Sequence, residues 1–246
     1  MQFNIKYEKK ILGINLFSEN LELIILSKEQ RSLEIINFLS IKIEDKNHSE
    51  IFIEIINDFF LKNNLKYSDF SYLFFFNGPG SFIKIRNITS YALGIQFALQ
   101  NNIKLININL FDVYNFLIKK YNLDHNSSFE KNDMILIIKS HQNFMFIEYF
   151  EDNKKFQNLI NTADLCNKIL EFKNKQIYKK YFFDSIITFE KLDISFKNFY
   201  CFEQNISLIK ESLGLIFNII NNHDLYKDFF DIKPFYIFEP NFQKNF

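Results

Sequence analysis

The sequence predicts an α/β protein of two lobes, each a mixed β-sheet flanked by helices. Three features carry this expectation: three successive β-rich segments near the start, a change to helical period after them, and a polar, aperiodic stretch midway that precedes a new strand pair. Lys10 to Phe17 (KILGINLF), Leu21 to Ser27 (LELIILS) and Ser32 to Ile43 (SLEIINFLSIKI) are rich in β-branched residues and separated by polar clusters, so they predict a three-stranded meander. From Asn47 to Asn63 the period becomes helical: Ile51, Ile55 and Phe59 share one stripe, Phe52, Ile56 and Phe60 the next, with Glu50, Glu54 and Asp58 opposite. Tyr72 to Phe76 (YLFFF) is short and continuously apolar, the pattern of a strand covered on both faces. The turn Asn77-Gly78-Pro79-Gly80 then leads into a helix over about Ser81 to Gln100, a strand from Ile103 to Ile108 and a helix from Leu110 to Tyr121.

This order, βββαβαβα, mixes a meander with crossovers, as one lobe of an actin-like or sugar-kinase-like (ASKHA) fold does. Residues 122–133 (NLDHNSSFEKND) are the expected linker between a first lobe, residues 1–121, and a second, residues 134–246. In the second lobe, Met134 to Lys139 and Phe144 to Phe150 flank Ser140-His141-Gln142-Asn143 as a hairpin. A helix around Ala163 to Phe172, short strands near Tyr181 to Phe189 and a helix from Ile206 to Asn221 complete a degenerate copy of the first lobe.

Composition narrows the function classes. Hydrophobic residues make up 48% of the 246, and 33 residues are Phe, so a core of ample bulk is available without disulfides. Lysine and arginine together number 29 and balance 29 aspartates and glutamates, which leaves no global field to draw the chain to nucleic acid or an anionic membrane. Cys166 and Cys201 have no CxxC spacing and fit buried thiols in a reducing compartment. No apolar run approaches the roughly 18 residues of a membrane span, and Met1 to Lys10 lack the pattern of a secretion signal, so the expected location is the cytoplasm.

Glycine is scarce, only 5 residues, yet Gly78 and Gly80 stand on either side of Pro79, one of 3 prolines. The segment predicts a tight turn from a buried strand into a helix, with Ser81 capping that helix through its side chain. A functional reading adds an anion held by free N–H groups at the helix start, with Lys84 and Arg86 nearby. The Walker pattern GxxxxGK[ST] cannot be drawn through these residues.

The string GPGSF followed by a basic residue, together with His48-Ser49-Glu50 at a helix start and ILGIN in the first strand, resembles the TsaB family, also called YeaZ. The resemblance spans about Lys10 to Phe116 and returns in Pro234-Phe235-Tyr236-Ile237, similar to the family's PxYLR ending. It implies the dimerisation subunit of the bacterial complex that places threonylcarbamoyl on the adenosine beside the anticodon of certain tRNAs. Departures are visible: Asn15 stands where the family carries Asp, GPGSFTGLRIG becomes GPGSFIKIRNI, and Lys139-Ser140-His141 replaces Asp-Ala-Arg.

Residues for independent catalysis are missing. Actin-like ATPases use an acidic residue in the first hairpin, another opening the second lobe, and a glycine-rich adenosine turn, whereas this chain has Asn15 and Lys139 and only Gly214 after Gly94. His48, His125, His141 and His223 are scattered, with no HxxxH pair of the kind that holds a metal in the related catalytic subunit. No cofactor and no metal are therefore expected. The helix from His48 carries an apolar arc of roughly 200°, wider than one sheet face needs. The next helix carries Ser90, Gly94 and Ala98 as a stripe of small residues that lets another helix approach. With the resemblance, Phe52, Ile56, Phe60, Ser90, Gly94, Phe97 and Ala98 are the expected interface for a TsaD-type catalytic subunit, or for a second copy in its absence. A TsaE-type ATPase is a further expected partner, and tRNA is met only through the complex. The alternative is an actin-like small-metabolite kinase or a glycoprotease-type hydrolase.

Overall fold

The structure, a computed structural model, describes residues 10–17, 20–43, 48–124, 134–140, 144–174, 180–183, 199–201 and 207–232. The meander forms as expected from β1 (Lys10–Asn15), β2 (Asn20–Lys28) and β3 (Leu33–Lys42), each antiparallel to the next. β4 (Phe70–Phe76) and β5 (Lys104–Ile108) extend the sheet in parallel with β1, giving the order β3-β2-β1-β4-β5. Strands β1 and β4 are buried along most of their length, which fits their reading as apolar runs.

On one face, α1 (His48–Lys62) and α2 (Phe82–Ala98) pack over Leu12, Ile14, Leu23, Ile25, Leu73 and Phe75. On the other lies Gly13, where a Cβ would fall 2.1 Å from the Phe74 ring and 2.6 Å from Ile24. That glycine gives Phe74 its seat, a role the strand pattern does not disclose. α3 (Leu110–Asp124) follows β5 and is capped by Asn109, whose Oδ1 accepts the Phe111 N–H at 2.8 Å.

The second sheet contains β6 (Met134–Lys139), β7 (Phe144–Glu151), β8 (Lys154–Asn161), β9 (Lys180–Phe183) and β10 (Phe199–Cys201), in the order β10-β9-β6-β7-β8. Traced from β8 it repeats the first sheet: an antiparallel meander of three, then two strands parallel to the first of them. The expected hairpin is thus the first part of a meander whose third strand, β8, is too polar to stand out (KKFQNLIN). Its signal was the pair Asp152-Asn153, both at positive φ (49° and 61°), a two-residue hairpin turn. α4 (Thr162–Asn174) packs Leu165 and Ile169 on this sheet.

The described residues divide into two compact units, one built from those between 10 and 113 with 207–232, the other from those between 114 and 201. The C-terminal helices return to the first unit, where Leu208, Ile209, Leu215, Ile216, Ile219 and Ile220 are buried and the helices meet β1 and β3. The single helix expected from Ile206 to Asn221 is two, α5 (Leu208–Glu211) and α6 (Leu213–Asn221), parted at buried Ser212, whose hydroxyl donates to the Ile209 carbonyl at 3.0 Å. No helix among the described residues is long and apolar enough to cross a membrane. Residues 125–133, His125, His141 and Pro234-Phe235-Tyr236-Ile237 lie outside the described residues.

Candidate functional site

The C-terminal ends of β1 and β4 bring Asn15, Phe17 and the Asn77–Gly80 turn together. Asn15 is fully buried, directly opposite Glu22 in the β1–β2 register. Its Nδ2 donates to Glu22 Oε2 at 2.7 Å, and its Oδ1 accepts the Phe17 N–H at 2.9 Å. An aspartate at position 15 would face the buried Glu22 carboxylate, so the amide is the residue that Glu22 requires. Phe17 projects onto the turn: a Cβ on Gly80 would fall 2.5 and 2.6 Å from its Cδ1 and Cε1.

The turn itself is pinned on its far side. The Asn77 N–H donates to Ile108 O at 3.0 Å, and the Leu110 N–H donates to Gly78 O at 2.6 Å. Gly78 has φ 121°, a conformation that disfavours any Cβ, and Pro79 is buried. Ser81 occupies the position before α2 but its exposed side chain makes no capping bond; only its carbonyl engages, accepting the Ile85 N–H at 3.0 Å. The expected Ser81 side-chain cap is therefore corrected. Exposed Arg86 lies over the Phe82 ring at 5.8 Å, and Lys84 is half-buried. Phe17 thus lies against the turn that carries β4 into α2.

The two helices expected to dock separate clearly. On α1, Phe52 (2% exposed), Ile56 (0%) and Phe60 (6%) belong to the core, which corrects their assignment to an interface. Phe52 meets Tyr91 edge-on with ring centroids 5.1 Å apart, and Phe60 packs on Tyr67 at 4.5 Å and on Phe70 at 5.5 Å. The wide arc of α1 is filled by the sheet and by α2 together, so the bulkiest side chains turn inward. Its exposed apolar residues are Ile53 and Leu61.

The residues of α2 divide between core and surface. Ile85, Ile88, Thr89, Ala92 and Ile95 are buried, while Ser90, Gly94, Phe97 and Ala98 are exposed, Phe97 by 86%. A Cβ on Gly94 would meet nothing within 4 Å. Ser90, Gly94 and Ala98 line a shallow groove of about 340 Å³ with Tyr67, Tyr91, Ile95 and Leu99. In this groove Tyr67 and Tyr91 join through their hydroxyls at 2.6 Å, and burial raises both phenols above the usual tyrosine range. One face of α2 thus carries small and apolar side chains with nothing of this chain's described residues over Gly94.

Elsewhere, buried Glu148 on β7 accepts from Asn115 Nδ2 at 2.6 Å and Gln157 Nε2 at 2.5 Å and pairs with Lys155 Nζ at 2.9 Å, a network within the second unit that sequence reasoning missed. Its signal was a lone acid in the apolar strand Phe144 to Phe150. Among the described residues no group of three or more His, Cys, Asp or Glu is placed to hold a metal. Cys166 is half-buried and its thiol is shifted upward by burial, away from the thiolate a nucleophile needs. His223 is exposed and lies against the Phe230 ring, centroids 4.0 Å apart.

Two units, each built on the same strand order of meander and parallel extension, define a two-lobed actin-like fold. Among solved structures the chain is similar to YeaZ from Pseudomonas aeruginosa, with a TM-score of 0.54 and 10% identity over 93% of this chain and 100% of that one. It is also similar to an uncharacterized protein from Pseudomonas aeruginosa described as having similarity to peptidase YEAZ (TM-score 0.48, 10% identity, 83% and 90% covered). A third is a Bacteroides thetaiotaomicron protein of actin-like ATPase fold and unknown function (0.46, 10%, 87% and 99%). No protein-family model and no curated protein matches the sequence. The likeness to YeaZ shows that the chain has the YeaZ fold.

Proposed function

We propose that this chain is a non-catalytic docking subunit of the TsaB type, which holds a TsaD-type catalytic subunit during threonylcarbamoyl transfer to tRNA adenosine. The observation that carries the reading is the outer face of α2, where Ser90, Gly94 and Ala98 form an open stripe beside exposed Phe97. Small residues let a second helix approach to backbone distance, and an exposed aromatic beside them supplies an anchor. The YeaZ fold supports the same reading. The interface is drawn on Ser90, Gly94, Phe97 and Ala98, without the core residues of α1. Alone, the chain pairs with a second copy through this face, and it meets tRNA and a TsaE-type ATPase only within the complex.

The Asn15–Glu22 pair and the Phe17 ring on Gly80 speak against the kinase alternative, since they fill the edge of the sheet where an actin-like ATPase holds its phosphates and magnesium. The test is a titration of the TsaD-type protein of the same genome with the purified chain, beside a titration of the chain alone with Mg-ATP. Saturable binding of the protein and none of the nucleotide is expected. Saturable Mg-ATP binding with turnover, and no binding of the protein, would replace the docking reading with the kinase one.

A further inference from the structure

We infer that Phe17 is a built-in occupant of the glycine turn, a positioning residue that helps set where α2 begins and thereby the strength of docking at Ser90, Gly94 and Ala98 further along that helix. Its effect on partner binding rests on the docking reading; its effect on α2 does not.

Glycine in a turn of this kind lets a group approach the backbone closely. At Gly80 the approaching group belongs to the chain itself: the Phe17 ring stands 2.5 Å from where a Cβ would be. Gly80 is not at positive φ, so space and not backbone conformation is what excludes a side chain there. The ring is aimed from a fixed base, because the Phe17 N–H is bound to Asn15 Oδ1, and Asn15 is itself anchored to buried Glu22. The other side of the turn is fixed to β5 and α3 through Asn77 and Gly78. α2 starts two residues after Gly80 and has no side-chain cap at Ser81, so the packing at Gly80 joins the burial of Ile85 in setting where its first turn lies. Across a seam of small residues, attraction depends steeply on distance: a gap of roughly 0.5–1 Å forfeits a quarter to a half of each contact. A displacement of α2 at its origin is therefore felt at Ser90, Gly94 and Ala98.

The experiment is a double-mutant cycle on Phe17→Ala, Gly80→Ala and the two combined, read by titration of the TsaD-type protein and by amide hydrogen exchange along α2. Each single change is expected to weaken binding by about tenfold and to lower protection in the first turns of α2. In the pair the methyl added at position 80 finds room where the ring was, so the combined loss should be at least about threefold smaller than the product of the single losses. Losses that simply multiply, or single variants that bind as the unaltered chain does, overturn the inference. If the unaltered chain does not bind the TsaD-type protein, the docking reading falls by itself, and hydrogen exchange decides on Phe17. Protection lost in Gly80→Ala and regained in the pair supports it, and no recovery overturns it. Should Gly80→Ala not fold, Phe17→Leu replaces it: Leu must preserve α2 protection and binding where Ala loses them, and equal behaviour of the two overturns the inference.

Discussion

α1 and α2 lie on one face of the same sheet, and both carry more apolar surface than that face can cover, yet they dispose of the surplus in opposite ways. α1 turns its bulky apolar residues inward: Phe52, Ile56, Phe59 and Phe60 are all buried, and the rings of Phe52 and Phe60 meet tyrosines of neighbouring elements. α2 buries five residues and turns Ser90, Gly94, Ala98 and Phe97 outward. Arc width alone therefore does not tell a docking helix from a core helix. Residue volume does better, since bulky side chains fill the space between α1, α2 and the sheet, while a small side chain on α2 leaves the backbone open to something else.

The largest effect that tests this contrast is expected on α1. Phe52→Ala removes a ring that is 2% exposed and in edge contact with Tyr91, and should lower stability by about 3–5 kcal/mol, measured by urea unfolding. A loss of partner affinity with unchanged stability would instead put Phe52 at an interface. A smaller loss is expected at the joint before α2. Gly78→Ala places a Cβ at φ 121° and should cost about 1–3 kcal/mol in the same measurement; no change would mean that the turn relaxes freely.

The Tyr67–Tyr91 pair between the helices gives an effect confined to alkaline solution. Both phenols are raised by burial from their ordinary value of 10.0, Tyr91 further by the hydrogen bond and the charge of Tyr67. A raised pKa in the folded state means that its contribution is fully present below pH 10 and is lost as pH climbs above it, because the unfolded chain releases those protons first. Unfolding curves from pH 8 to about pH 11 should show this decline, and Tyr91→Phe should flatten it. An unflattened decline would place the titration elsewhere.

The meander, the crossover order and the glycine turn were legible because each rests on local chemistry: β-branched runs, a period change, scarce glycines placed together. The second half of the site was not. The seat of Phe74 over Gly13 and the contact of Phe17 with Gly80 join residues far apart in sequence, and no local pattern encodes them. Asn15 read as a lost acid; its partner Glu22, seven residues on, shows it to be one member of a buried pair. The inward turn of Phe52, Ile56 and Phe60 was missed for a related reason: helical period assigns residues to stripes, but only the neighbouring helix decides which of two adjoining stripes is covered.

The smallest effect on folding, and the one that separates the two helices most sharply, belongs to Gly94→Leu. A leucine there enters open space, since nothing stands within 4 Å of the added Cβ, and it leaves the buried row Ile88, Ala92 and Ile95 untouched. Replacing glycine inside a helix also removes a penalty of about 1 kcal/mol, so the melting temperature should stay level or rise slightly. Partner binding should move the other way. The side chain fills the groove beside Ser90 and Ala98 just where a second helix is proposed to lie, and overpacking of about 1–3 kcal/mol corresponds to a loss of roughly 5- to 150-fold in affinity. Self-association, read by sedimentation, should weaken in parallel, because one face serves both. A melt that collapses would show that this stripe is covered by the chain itself. A level melt with native affinity would move the docking surface off α2, leaving exposed Ile53 and Leu61 of α1 as the next place to look.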